Sequence, residues 1–228
     1  MNSKKIIIAL DNNNFNDCLN LIKLLKNDAF AFKVGYEFFF NFGLEGYKTI
    51  HDEGIKIFLD LKLHDIPNTV HKGILAINKL KPFFTTIHIS GGDEMQKISN
   101  IKRKNTKILG VTILTSLDNV QTKKYYFNEN IEKIVSNYAI YALKNNLDGI
   151  VCSPREISII KKISLDKLII VTPGIRINNG DKINDDQKRT MSPKEAIEAG
   201  SNFLVIGRPV TQSNEPLKVL KQINSEIE

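Results

Sequence analysis

Short apolar runs recur along the whole chain, and the stretches between them carry apolar residues three or four positions apart. The runs cover residues 6–10, 30–34, 57–61, 84–89, 107–112, 149–152, 168–172 and 203–206. Each has strand length and is rich in Ile, Val, Leu or Phe, as a strand buried on both faces requires. Between the first two, Phe15, Leu19, Ile22 and Leu25 mark one face of a helix. Val70, Ile74 and Ile77 do so after the third run, and Ile131, Ile134, Val135, Tyr138 and Tyr141 after the fifth. Ser153-Pro154 before Arg155-Glu156 and Ser192-Pro193 before Lys194-Glu195 read as capping serines followed by proline at the first helical position. Gly200 supplies a stop.

Strand and helix alternating about eight times is the rhythm of a parallel sheet with crossover helices. Eight units in 228 residues predict a closed (β/α)8 TIM barrel of the α/β class; a doubly wound open sheet is the alternative. No Pro/Ser-rich linker or composition break divides the chain, so one domain over residues 1–228 is expected.

Composition narrows the classes. No apolar run approaches the roughly 20 residues that span a bilayer, so no membrane role is expected. The start passes from Met1-Asn2-Ser3-Lys4-Lys5 straight into the first strand without a leader pattern, which makes the cytoplasm the expected location. Cys18 and Cys152 are too few for a disulfide scaffold and too distant for a chelating pair, so both are expected as buried thiols. The formal charge of +7 suits a phosphate-bearing partner. The lysines are spread along the chain, however, and no nucleic-acid partner is expected. The abundance of Ile, Asn and Lys equally reflects genomic base composition.

In a barrel of this kind the reactive groups lie at the C-terminal ends of the strands. Six predicted strand ends carry them: Asp11; Lys33; Asp60-Leu61-Lys62-Leu63-His64-Asp65; His88-Ile89-Ser90-Gly91-Gly92; Thr172-Pro173-Gly174-Ile175-Arg176; and Gly207-Arg208-Pro209. Asp60 and Lys62 stand two apart on a strand and so project from one side. Burying a lysine among carboxylates is costly unless several partners satisfy it. Lys33 and Lys62 with Asp60 and Asp65 would form an alternating charged array that holds an ammonium beside fixed negative charge. That is chemistry for protonating a carbanion next to an anionic substrate. Gly207 exposes backbone N–H groups and Arg208 adds a fork of donors suited to phosphate. The loop 176–191 is long for a strand-to-helix connection and reads as a lid, with Gln187 as a neutral phosphate donor.

Asp60-Leu61-Lys62-Leu63-His64-Asp65-Ile66-Pro67-Asn68-Thr69-Val70 resembles the signature of the orotidine 5'-phosphate decarboxylase family. The resemblance continues in order through Asp11, Lys33, residues 88–92, Val111-Thr112-Ile113-Leu114-Thr115-Ser116, Thr172-Pro173-Gly174-Ile175-Arg176, Asp186-Gln187-Lys188-Arg189 and Ile206-Gly207-Arg208-Pro209. The strand-three motif is highly specific and the glycine-arginine turn much less so. The resemblance implies decarboxylation of orotidine 5'-phosphate to UMP without cofactor or metal, by a homodimer with shared sites. It implies that Lys62 gives C6 its proton, that Asp60 and Lys33 complete the array, and that Asp65 and Thr69 reach in from the partner chain. It places Asp11 and Lys33 on ribose hydroxyls and Thr115 and Ser116 at the pyrimidine edge. Ile66 and Pro173 would touch the substrate, while Arg176, Gln187, Gly207 and Arg208 would grip the phosphate.

Two rivals stand beside this reading. One is a magnesium-dependent decarboxylase or aldolase for a sugar phosphate, which shares the Asp-x-Lys-x-x-Asp core. The other is a non-catalytic polyanion-binding barrel. His51, His64, His71 and His88 form no metal motif, and His64 and His88 read as scaffold beside the site. Lys123-Lys124-Tyr125-Tyr126-Phe127 is expected to pack on its own barrel rather than stack on nucleic-acid bases. Phe38, Phe39, Phe40 and Phe42 exceed what one helix face can bury, so part of that cluster is expected at an interface.

Overall fold

The computed structural model describes residues 4–97, 105–127, 129–177 and 190–228. Eight strands pair in sequence order and close into a barrel, β1 (Ile6–Ala9), β2 (Ala31–Val34), β3 (Ile57–Leu63), β4 (Phe84–His88), β5 (Lys107–Val111), β6 (Gly149–Val151), β7 (Ile169–Thr172) and β8 (Phe203–Ile206). Every pairing is parallel, including β8 back to β1. All eight predicted runs are strands, and the open-sheet alternative is excluded by the closure.

The helices are α1 (Phe15–Leu25), α2 (Tyr36–His51), α3 (Pro67–Leu80), α4 (Asp93–Gln96), α5 (Asn119–Tyr125), α6 (Ile131–Lys144), α7 (Ile157–Ser164), α8 (Pro193–Glu198), α9 (Arg208–Thr211) and α10 (Pro216–Glu226). Both predicted serine caps are present. The Ser192 hydroxyl accepts from Glu195 N–H while the Glu195 carboxylate accepts from Ser192 N–H, and Ser153 with Glu156 repeats the box. No described helix is long and apolar enough to cross a membrane.

Because side chains alternate along a strand, each strand feeds two cores. Ile6, Ile8, Phe32, Val34, Ile57, Leu59 and their counterparts face the helices. Ile7, Ala9, Ala31, Phe58, Phe84, Leu109, Val111, Val151, Val171 and Val205 fill the barrel interior. Near the N-terminal mouth the filling is aromatic: Phe30 stacks on Phe203 at 4.2 Å between ring centroids, and Phe84 meets Phe203 at 5.6 Å. The ammonium of Lys56 lies 4.4 Å from the Phe30 centroid. Continuing the inward alternation toward the C-terminal mouth gives Asp11 after Ala9, Lys33 after Ala31, Asp60 after Phe58, and Thr86 and His88 after Phe84. It also gives Ile113 after Val111, Pro173 after Val171 and Gly207 after Val205. The interior therefore changes from apolar to charged along its axis.

Three features add detail to the sequence pattern. Helix α2 is broken at Gly43, whose φ of 58° only glycine adopts without strain. In the phenylalanine cluster Phe38 is fully buried, whereas Phe40 is 80% exposed. Of the run 123–127, Tyr126 packs against the core, but Tyr125 and Phe127 stand out into solvent, so the expectation that it packs on its own barrel holds only in part. Cys18 and Cys152 are both buried and not joined in a disulfide, as expected.

Candidate active site

A cavity of about 590 Å³ opens at the C-terminal mouth, lined among others by Asp11, Lys33, Asp60, Lys62, Thr115, Pro173, Arg176, Gly207 and Arg208. Its size is that of a small-molecule pocket. Nine of the predicted site residues thus line one cavity. Four cations, Lys33, Lys62, Arg176 and Arg208, face three carboxylates, Asp11, Asp60 and Glu37, which leaves a positive balance suited to an anion.

On the wall formed by β1, β2 and β3, the charges alternate. Lys33 Nζ lies 3.4 Å from Asp11 Oδ1 and 3.8 Å from Asp60 Oδ2, and Lys62 Nζ donates to Asp60 Oδ2 at 2.8 Å. Thr86 on β4 donates its hydroxyl to Asp60 Oδ1 at 3.0 Å. Burial by itself would raise the Asp60 pKa. The Lys33 and Lys62 ammoniums, with hydrogen bonds from Lys62 and Thr86, outweigh it and hold the carboxyl below the ordinary carboxylate range. Gly35 keeps the array open, since a Cβ there would sit 3.1 Å from Lys33 Nζ.

Asp60 and Lys62 share a side for a reason the pleat alone does not supply. Strand β3 pairs with β4 through Leu59↔Thr85 and then Leu63↔Ile87, so β3 uses four residues where β4 uses two. Within this bulge Lys62 adopts φ 45°, the left-handed region. That conformation costs a lysine about 1 to 2 kcal/mol, and such strain gathers at functional sites. The Lys62 N–H donates to Thr86 Oγ1 at 2.9 Å.

His88 follows Thr86 on the inner face. Burial, then the charges of His64 and Lys62, push its pKa down to about 4, with Asp60 opposing. A histidine whose folded value lies below its unfolded 6.5 stabilises the fold fully above 6.5, and that stability is lost as pH falls toward about 4. The denaturant midpoint of the wild type should therefore decline more steeply over this window than that of His88→Asn. The difference should be on the order of 1 to 3 kcal/mol, and parallel slopes would contradict the assignment. Asp60 adds its own loss lower still, below 3.8, because its folded value is also depressed.

The remaining predicted residues lie elsewhere. Asp65, Ile66 and Thr69 are exposed at the start of α3 and do not line this chain's cavity, and Asp65 makes no ion pair among the described residues. Among the described residues its Oδ1 accepts only the neighbouring Ile66 N–H. Ser116 is exposed beside the half-buried Thr115. Gln187 and most of the 176–191 loop lie outside the described residues. Conversely, Glu37, Cys152 and Gln212 line the cavity although the sequence assigned them no site role, as do Ile113 and Leu114, which it placed in a matching motif without a role of their own. Period-two counting from Val111 would have found Ile113. Nothing local marks Glu37 or Gln212.

A (β/α)8 barrel with a buried Asp-Lys array and arginines at its mouth is the scaffold of an enzyme acting on a small anionic substrate. Residues 4–223 match the model of the orotidine 5'-phosphate decarboxylase / HUMPS family, and the chain belongs to that family. The orotidine 5'-phosphate decarboxylase of Ehrlichia chaffeensis is 43% identical, over 98% of this chain and 96% of that protein. That of Pseudoalteromonas translucida is 42% identical over 99% and 98%. The crystal structure of the Lactobacillus acidophilus enzyme superposes with a TM-score of 0.84 at 35% identity, covering 99% of each chain.

Proposed function

We propose that this chain decarboxylates orotidine 5'-phosphate to UMP in pyrimidine biosynthesis. The observation that carries the reading is Asp60, a buried carboxylate pinned between two ammoniums at the edge of an anion-sized cavity. Full-length relatives above 40% identity that bear the decarboxylase name support it over a sugar-phosphate chemistry.

In the proposed reaction the substrate carboxylate approaches Asp60, the bond from C6 to the carboxyl carbon breaks, and the electron pair stays on C6 as carbon dioxide leaves. The Lys62 ammonium, fixed at 2.8 Å from Asp60, stands beside that developing charge and transfers its proton to C6. Because Asp60 is ionised well into the acid range, the array is set before substrate arrives and needs no reorganisation during the reaction. Asp11 and Lys33 hold the ribose hydroxyls. Thr115 and Ser116 meet the pyrimidine edge, Ile66 and Pro173 touch the substrate, and Arg176, Gln187, Gly207 and Arg208 hold the phosphate. No metal or organic cofactor enters this scheme.

The active form is proposed to be a homodimer in which Asp65 and Thr69 complete the partner's cavity. Their exposure on the single chain supports this, as does the apolar surface next to them. Ile66 is 66% exposed, and Tyr36, whose hydroxyl donates to Leu61 O at 3.1 Å, stacks on the exposed Phe40.

Ultraviolet loss of orotidylate absorbance in the presence of a metal chelator tests the reading. Turnover unaffected by chelator is expected, and activity that appears only with magnesium and a sugar phosphate would replace it. Arg208→Ala should weaken UMP binding about 10- to 100-fold in a calorimetric titration, because a dianion loses a charge-assisted partner. Unchanged affinity would remove Arg208 from the phosphate site.

A further inference from the structure

We infer that Thr86 is a positioning residue for the Asp60–Lys62 pair, one hydroxyl that fixes both the carboxylate and the backbone from which the lysine projects. Its catalytic consequence rests on the decarboxylase reading above. A threonine hydroxyl offers one proton and two lone pairs. Thr86 directs the proton to Asp60 Oδ1 at 3.0 Å and accepts the Lys62 N–H at 2.9 Å. With Oδ1 held in this way, Oδ2 is left to face both ammoniums, Lys62 at 2.8 Å and Lys33 at 3.8 Å.

The second bond matters as much. Lys62 lies in the β3 bulge with its backbone in the left-handed region, where the register with β4 is interrupted. The Thr86 oxygen takes up the Lys62 N–H there, and so ties the strained residue to β4. Losing the hydroxyl frees the carboxylate to turn and leaves the lysine backbone without this acceptor. Proton transfer depends on where the ammonium stands, and a displacement of about 1 Å is enough to cost on the order of a hundredfold.

The adjacent Thr85 supplies an internal contrast. Both threonines are fully buried on one strand, yet Thr85 Oγ1 has no hydrogen-bond partner among the described residues. Thr85 is thus a buried threonine of the same strand that stands outside the Asp60–Lys62 pair, and serves as the control. The groups facing Asp60 are Lys33 from β2, Lys62 from its own strand and Thr86 from β4, with Asp11 of the β1 end reaching it through Lys33 and His88 also present on β4.

Thr86→Val, Thr86→Ser and Thr85→Val are compared with the wild type. Thr86→Val should lower kcat about 10- to 100-fold, the range for a lost hydrogen bond to a charged group, with KM for orotidine 5'-phosphate within about threefold. Thr86→Ser should restore kcat to within about threefold, and Thr85→Val should match the wild type. Amide exchange at Lys62 should quicken in Thr86→Val and stay protected in Thr86→Ser and Thr85→Val. Equal kcat in Thr86→Val and wild type, or a loss in Thr86→Ser as large as in Thr86→Val, overturns the inference. If the wild type does not turn over, the decarboxylase reading falls, and the Lys62 amide alone decides: unchanged protection in Thr86→Val then overturns the positioning role. Thr86→Cys, with a weak donor of similar size, replaces the valine variant should that one not fold, with the same expected readings.

Discussion

Replacing Lys62 with alanine should lower turnover by more than about a hundredfold, on the scale of general acid effects, while UMP still binds. The ammonium is asked to act on a carbanion that exists only near the transition state, so its loss falls on kcat. Arg176, Arg208 and Asp11 stay in the cavity wall, so the contacts proposed for phosphate and ribose remain available to the ground state. The variant also leaves Asp60 with Lys33 as its remaining ammonium, 3.8 Å away, which keeps the buried carboxylate compensated and the barrel folded. Stopped-assay kinetics beside a calorimetric UMP titration separate the two effects. Retention of more than about one hundredth of the wild-type rate would remove Lys62 from the proton-donor role.

A second large effect is expected from mixing inactive chains. If each site combines Lys62 of one chain with Asp65 of the other, homodimers of Lys62→Ala and of Asp65→Asn both lack an intact site. In a mixed dimer one site receives both defects and the other receives neither. Equal amounts unfolded and refolded together should give about half mixed dimers, so roughly a quarter of all sites should recover wild-type activity. The exposed Asp65, placed outside its own chain's cavity, motivates the test. Lys62→Ala mixed with Asp60→Asn should stay inactive, since those residues touch within one chain. Rescue in that control, or none in the first mixture despite confirmed mixed dimers, would overturn the shared site.

The barrel was legible because parallel strands with two buried faces leave continuous apolar runs, and all eight stand where the pattern puts them. The site was legible because charged residues interrupt the pattern at strand ends, where burial makes them expensive. What the pattern cannot carry is backbone geometry. Counting by two puts Asp60 and Lys62 on one side, yet they meet through a bulge with Lys62 in a left-handed conformation that side-chain periodicity does not encode. Thr86 escaped notice for a related reason, since threonine is a common strand residue and its polar contacts come from another strand. The break at Gly43 and the solvent-facing Tyr125 and Phe127 likewise depend on packing that a one-dimensional periodicity does not contain.

The central claim, that this cavity removes carbon dioxide from orotidylate and returns a proton to C6, is tested most directly by one product analysis in heavy water. Purified wild-type protein is given orotidine 5'-phosphate, and carbon dioxide and UMP are quantified together with the isotope at C6. The account predicts one carbon dioxide and one UMP for each substrate consumed, with deuterium at C6. Substrate left intact, or consumed without formation of UMP, would contradict it.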